Sequence, residues 1–146
     1  MSRAKPPSRA NYPHFLTIPT RWNDNDIYGH VNNAVYYYFI DTVVNCYLID
    51  NGLLDLKDSK TIGIAVETGC KFFGSIEYPD VVHAGLRVTN LGNSSVTYDI
   101  GMFKNDENTA AAQGHFVHVY VDEETRRPVP IDDEMRKQLQ TLCSPP

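Results

Sequence analysis

From Val31 to Asn51 the apolar residues Val35, Tyr36, Phe39, Ile40, Val43, Val44, Tyr47 and Leu48 recur at helical spacing, and Gly52 stands where a helix C′ residue belongs. This predicts one long helix. Most of the remaining chain alternates with a period of two. Val82, Ala84, Leu86 and Val88 share one face of a strand, while His83, Gly85, Arg87 and Thr89 share the other. After the tight hairpin turn Leu91-Gly92-Asn93-Ser94, the residues Val96, Tyr98, Ile100 and Met102 alternate with Thr97, Asp99 and Gly101. Thr61 to Phe73 forms a longer strand with Ile62, Ile64, Val66 and Phe72 on one side. Ala110 to Val121 closes the sheet after the turn Asn105-Asp106-Glu107-Asn108. Phe15 to Arg21 predicts an opening strand, and Pro19 within it favours a sheet edge or a bulge. Pro128 and Pro130 introduce a short C-terminal helix near Asp132 to Leu142.

The order strand, long helix, then four strands in a meander predicts an α+β fold, an antiparallel sheet covered by a single helix. One helix shields one face only. Bare sheet edges invite pairing with another chain, so a homodimer formed by edge-to-edge or face-to-face contact is expected.

The 146 residues suit one domain, able to bury roughly 68 to 70% of its unfolded surface. That domain is placed at residues 14–146. Residues 1–13 are basic at Arg3, Lys5 and Arg9 but lack the apolar core of a signal peptide, and are expected to form a loosely ordered tail. The three cysteines, Cys46, Cys70 and Cys143, are odd in number and show no C-x-x-C spacing, which fits a reducing cytoplasm. No apolar run approaches the roughly 18 residues of a membrane span, so no membrane partner is expected. A net charge of −5 argues against nucleic acid as the main partner, because phosphate binding needs a basic face. It leaves room for one nucleotide-bearing ligand, held by local cations such as Lys71, Arg87, Lys104, Arg126 or Arg127.

Candidate chemistry concentrates just ahead of the helix, in Arg21-Trp22-Asn23-Asp24-Asn25-Asp26-Ile27-Tyr28-Gly29-His30-Val31-Asn32-Asn33. A helix N-terminus presents unpaired N–H groups and the positive end of its dipole, an arrangement that suits a carbonyl oxygen becoming an oxyanion. Asp24-Asn25-Asp26-x-x-Gly29-His30-Val31-Asn32-Asn33-x-x-Tyr36 resembles the signature of the hotdog-fold acyl-CoA thioesterases of the 4-hydroxybenzoyl-CoA thioesterase type. Gly69-Cys70-Lys71-Phe72-Phe73, Tyr78-Pro79-Asp80, Leu91-Gly92-Asn93-Ser94-Ser95-Val96 and the run from His118 to Pro130 match that family's strand and turn pattern in order, so the likeness spans about residues 14 to 140.

The resemblance implies a five-stranded antiparallel sheet wrapped around the long helix, two protomers joined into one sheet, and active sites at the subunit boundary. A tetramer is the higher assembly often formed in such families. The resemblance also implies hydrolysis of an acyl-CoA or acyl carrier protein thioester, with coenzyme A as part of the substrate and no separate cofactor. Asp26 would be the nucleophile or the base acting on water, and the Asn33 backbone N–H would polarise the carbonyl. His30 would orient water, donate to the carbonyl or serve as acid. The plainer alternatives are that Asp26 or Asp24 closes an Asx-turn or caps the helix, and that His30 packs in the turn. Tyr36 is expected in the core or acyl pocket, Glu67 on a pocket wall or an outward face, and Ser94, Ser95, Arg87 and Arg127 near the coenzyme A moiety. His115 and His118, three apart on a strand, point to opposite faces and cannot readily share a metal, so none is expected. Gly-x-Ser-x-Gly, Gly-x-Gly-x-x-Gly and Walker-type loops do not occur. Two other functions fit the same residues: a hotdog hydratase or dehydratase using His30 with a carboxylate, and a non-catalytic acyl-thioester binder.

Overall fold

A helix with an apolar stripe needs a surface to bury it against, and here an antiparallel sheet provides it. The computed structural model describes residues 4–55 and 57–143. Helix α1 (Asn33–Asp50) buries Tyr36, Phe39, Ile40, Val43, Val44, Tyr47 and Leu48, with Val35 at the margin of the same core. Both of its ends are closed by local chemistry. Asn32 caps the start, its side chain accepting the Ala34 N–H at 2.9 Å. At the far end Gly52 adopts φ 68°. The Leu53 N–H reaches the Leu48 carbonyl at 2.8 Å and the Gly52 N–H reaches Ile49 at 3.1 Å, satisfying carbonyls the helix leaves open.

The strands are β1 (His14–Pro19), β2 (Thr61–Phe72), β3 (Val81–Leu91), β4 (Ser95–Lys104) and β5 (Ala112–Asp122), all antiparallel in the order β1-β3-β4-β5-β2. This is the hotdog arrangement expected, with Pro19 on an edge strand. The short helix α2 (Asp133–Gln140) follows, capped by Asp132, whose side chain accepts the Met135 N–H at 2.8 Å. Val82, Ala84, Leu86 and Val88 of β3, with Val96, Tyr98, Ile100 and Met102 of β4, all face α1 and are buried.

Two expectations about the strands need correction. The meander holds only for β3, β4 and β5, because β2 crosses to the far side and pairs with β5 from Thr61↔Asp122 to Phe72↔Ala112. Alternation sets which face a side chain takes, while the choice of neighbour is tertiary. The second correction concerns the faces of β2. Its register slips between Ala65 and Glu67, so Val66 is an extra residue and the pleat reverses. Ile62 and Ile64 pair with Val121 and Val119 on the face away from α1, whereas Phe72 turns inward and meets Tyr36 edge-on at 4.9 Å.

The segment expected as a loose tail is docked from Pro7 to Tyr12. The Ala110 N–H donates to the Pro7 carbonyl at 3.0 Å, and the Arg9 Nε–H donates to the Glu107 carbonyl at 2.8 Å. Tyr12 is buried because Gly85 and Gly101, opposite each other on β3 and β4, leave a trough for its ring. A Cβ on Gly101 would sit 2.5 Å from the ring. The Tyr12 hydroxyl donates to Asp99 at 3.0 Å, and Asp99 is also paired with Arg87 at 2.6 Å. Burial, then the Asp99 charge, holds the Tyr12 phenol well above its usual range. An apolar ring with a hydroxyl anchor thus orders a chain segment whose composition suggested solvation. Gly101→Ala is expected to displace the ring and destabilise the fold by about 1 to 3 kcal/mol, measured by urea denaturation. Wild-type stability would show that the trough can relax.

His118 points inward on β5 and is 5% exposed, among Tyr98, Phe116 and Tyr120. Burial lowers its pKa to about 4, against an opposing pull from Asp41. The unfolded chain therefore takes the proton first. Stability should be complete above pH ~6.5 and be lost as pH falls towards ~4, by on the order of 3 kcal/mol. His118→Phe should remove that increment from the pH dependence of urea unfolding, and an identical profile in the variant would refute the assignment.

Candidate active site

The loop ahead of α1 is held by the residue that precedes the candidate carboxylate by two. Asp24 is 1% exposed. Its side chain accepts the Arg21 backbone N–H at 2.7 Å and the Arg21 guanidinium at 2.9 and 3.1 Å, while its carbonyl accepts the Asn32 N–H at 2.9 Å. Asp24 therefore ties the loop's beginning to its end. Asn25 fastens it sideways: its side-chain oxygen accepts the Tyr78 N–H at 3.0 Å. Beside it, the Val31 N–H donates to the Ile76 carbonyl at 2.7 Å.

Between these ties the chain makes a tight turn. The Asp26 N–H donates to the His30 carbonyl at 2.9 Å and the Gly29 N–H to the Asp26 carbonyl at 3.1 Å, with Gly29 at φ 83°. That positive φ is why glycine stands there. The Asp26 side chain is half-buried. Its Oδ1 accepts the Tyr28 N–H at 2.9 Å, so the Asx-turn foreseen as the plainer role is present. Its Oδ2 accepts no hydrogen bond from a described residue. The Asn33 N–H, first in α1, likewise donates to no described residue, and Asn33 lines a shallow depression of about 440 Å³ with Ala34, Tyr37, Tyr38 and Asp41.

The arrangement can therefore do two things. A fixed carboxylate has one oxygen available to accept a proton, and a helix-end amide is available to a developing anion. His30 is exposed, held by its backbone, with its ring bonded to no described residue. Around the turn Trp22, Ile27 and Tyr28 are 79%, 92% and 80% exposed, and Trp22 meets Tyr78 edge-on at 5.8 Å. Burial pushes the Cys70 thiol up to about 11, so it is not a thiolate at neutral pH.

The other predicted residues are dispersed within one chain. Tyr36 is buried in the core below the turn, its phenol raised to about 12 by burial. Glu67 is exposed on the edge strand β2, bonded to His115 at 3.1 Å. Arg87 lies on the face of the sheet away from α1, its guanidinium committed to Asp99 and stacked over Tyr12 at 5.3 Å. Ser94 lies in the β3–β4 turn, its carbonyl accepting the Tyr120 N–H at 2.8 Å, and Ser95 opens β4. Arg127 is exposed in the turn after β5. His115 and His118 stand on opposite faces, one exposed and one buried. Asn25 was not singled out from sequence, since as an asparagine in a turn it carries no sign of its partner 53 residues away.

The fold recurs in solved structures. The PA5185 protein of Pseudomonas aeruginosa strain PAO1 is 48% identical, covers 96% of this chain and 98% of its own, and superposes with a TM-score of 0.92. A DHNA-CoA thioesterase from Staphylococcus aureus is 18% identical over 87% of this chain and 86% of its own, with a TM-score of 0.76. BH1999, a gentisyl-coenzyme A thioesterase, is 22% identical over 86% of this chain and 99% of its own, with a TM-score of 0.77. Residues 20–139 match the family model of the Thioesterase-like superfamily, and the chain belongs to that family.

Proposed function

We propose that the protein hydrolyses an acyl-CoA thioester to the free acid and coenzyme A. Water adds to the thioester carbonyl as Asp26 takes its proton, the oxyanion is held by the Asn33 N–H, and the proton passes to the departing thiolate when the C–S bond breaks. The observation that carries this reading is that Asp26 Oδ2, in the turn before α1, and the Asn33 N–H, at its first residue, are each without a hydrogen-bond partner among the described residues. One positioned base contributes roughly 10² to 10⁴-fold, and one preorganised amide about 3 to 4 kcal/mol. No Ser-His-Asp triad is needed. Membership of the Thioesterase-like superfamily supports the reaction class, and two neighbours are named as CoA thioesterases.

A second copy of the chain belongs in this proposal. β2 is an edge strand with Val66 55% and Phe72 48% exposed, and the apolar rim of Trp22, Ile27 and Tyr28 stands uncovered. Pairing β2 with its equivalent would cover such groups and give the site a wall that one chain lacks.

Asp26→Asn keeps the acceptor for the Tyr28 N–H, so it should fold normally while kcat for thiol release drops about 10² to 10⁴-fold. Unchanged turnover would remove Asp26 from the mechanism. The amide can be tested separately. Asn33 is the first helical residue, where proline is tolerated, and Asn32 already has φ −61° and ψ 140°, suitable for preceding one. Asn33→Pro deletes the N–H together with the side-chain amide, so Asn33→Ala, which keeps the N–H, serves as its control; the proline variant alone is expected to lower kcat about 10² to 10³-fold at unchanged melting temperature. Wild-type turnover would exclude that donor. A thiol-release screen over straight-chain and aryl acyl-CoA esters then sets the acyl preference.

A further inference from the structure

The turn that carries Asp26, residues 25–31, is seated on a second loop, residues 76–80, which is itself braced. Ile76 is fully buried. The Asp80 carboxylate accepts the Glu77 N–H at 3.0 Å and an Asn105 side-chain N–H at 3.0 Å, and the Asp80 carbonyl accepts the Thr20 N–H at 3.1 Å. The seat is therefore firm. The turn above it has two arms, joined by the antiparallel bridge Asn25↔Val31, and each arm is pinned to the seat once. On the far arm the Val31 N–H donates to the Ile76 carbonyl at 2.7 Å, and on the near arm the Asn25 side-chain oxygen accepts the Tyr78 N–H at 3.0 Å. The Asn25 side-chain nitrogen faces the Gly29 carbonyl at 3.4 Å, so both ends of the amide suit their neighbours. Among the described residues, no other side chain of the turn bonds to the seat.

We infer that Asn25 is a positioning residue for the proposed hydrolysis: through the Tyr78 N–H it sets the angle at which the turn presents the Asp26 carboxylate. The inference rests on the thioesterase reading and adds to it a residue that acts only through its neighbour. Asp26 moves with the turn as one piece, because its N–H bonds the His30 carbonyl and its Oδ1 accepts the Tyr28 N–H. Asn33 is fixed separately, as the first residue of α1. The placement of carboxylate against amide therefore depends on how the turn sits. Two pins stop it from pivoting, whereas one leaves a hinge. A catalytic group misplaced by about 1 Å can cost on the order of 10²-fold in rate. Stability is affected far less, since Tyr78 is exposed and water can take up its vacated N–H. An asparagine that merely closed the turn would show the reverse.

The test measures thiol release by the full chain carrying Asn25→Ala or Asn25→Asp, each alone and combined with Asp26→Asn, on the ester turned over fastest in the straight-chain and aryl acyl-CoA screen. Asn25→Ala is expected to lower kcat about ten- to hundredfold, with KM within about twofold of wild type and the urea midpoint little changed. Asn25→Asp keeps an acceptor for the Tyr78 N–H and should return kcat to within about threefold of wild type. In the Asp26→Asn background Asn25→Ala should cost nothing further, because no base is left to position. Wild-type kcat in Asn25→Ala, an equal loss in both backgrounds, or no recovery in Asn25→Asp would each overturn the role of Asn25 while leaving Asp26 in place. Failure of the wild-type protein to release thiol from any ester would instead overturn the thioesterase reading, and this inference with it.

Discussion

The buried Asp24 carboxylate is the fastener on which the placement of the candidate chemistry depends. Its side chain binds Arg21 while the Asp24 backbone carbonyl accepts the N–H of Asn32, the N-cap of α1, so this one residue joins the loop's beginning to the helix start. A helix start displaced by one residue would turn the first free amide by about 100° relative to the apolar stripe. The carboxylate that does this is salt-bridged and almost wholly withdrawn from water, so its loss would leave an exposed guanidinium and an unanchored turn. Of two acidic residues in one motif, Asp24 commits both side-chain oxygens to Arg21, while the half-buried Asp26 holds the Tyr28 N–H through one oxygen and leaves the other without a partner among the described residues.

Local features were legible in the chain. The helix stripe, the Gly52 stop, the hairpin at Gly92-Asn93 and the Pro-introduced C-terminal helix each depend on neighbours a few residues away, and each lies where its spacing placed it. Strand order did not follow, because alternation carries no record of which strand lies beside which. The slip at Val66 was invisible for a related reason, since one extra residue reverses the faces without altering composition. Gly85 and Gly101 could have signalled a close approach of another group, a common reason for glycine inside a strand. Nothing in their surroundings named Tyr12 as that group.

The candidate site divides the same way. Asp26 and His30 belong to one turn and Asn33 opens the helix just after it, so motif spacing alone places them close along the chain. Glu67, Arg87, Ser94, Ser95 and Arg127 lie on other elements, and their partners are set by packing. Arg87 illustrates the difference: a half-buried guanidinium bound to Asp99 and covering an aromatic ring serves the anchoring of the N-terminal segment, a use that no count of cations along the chain reveals.

The two borders of the sheet are unequal. β1 is six residues long and ends in Pro19, which has no N–H to offer a newcomer, whereas β2 runs for twelve residues with apolar groups uncovered. In the proposed dimer β2 joins its like margin on a twin, and the union consumes both. Growth stops there. The same asymmetry that leaves one border sticky therefore guards the protein against open-ended stacking into fibres.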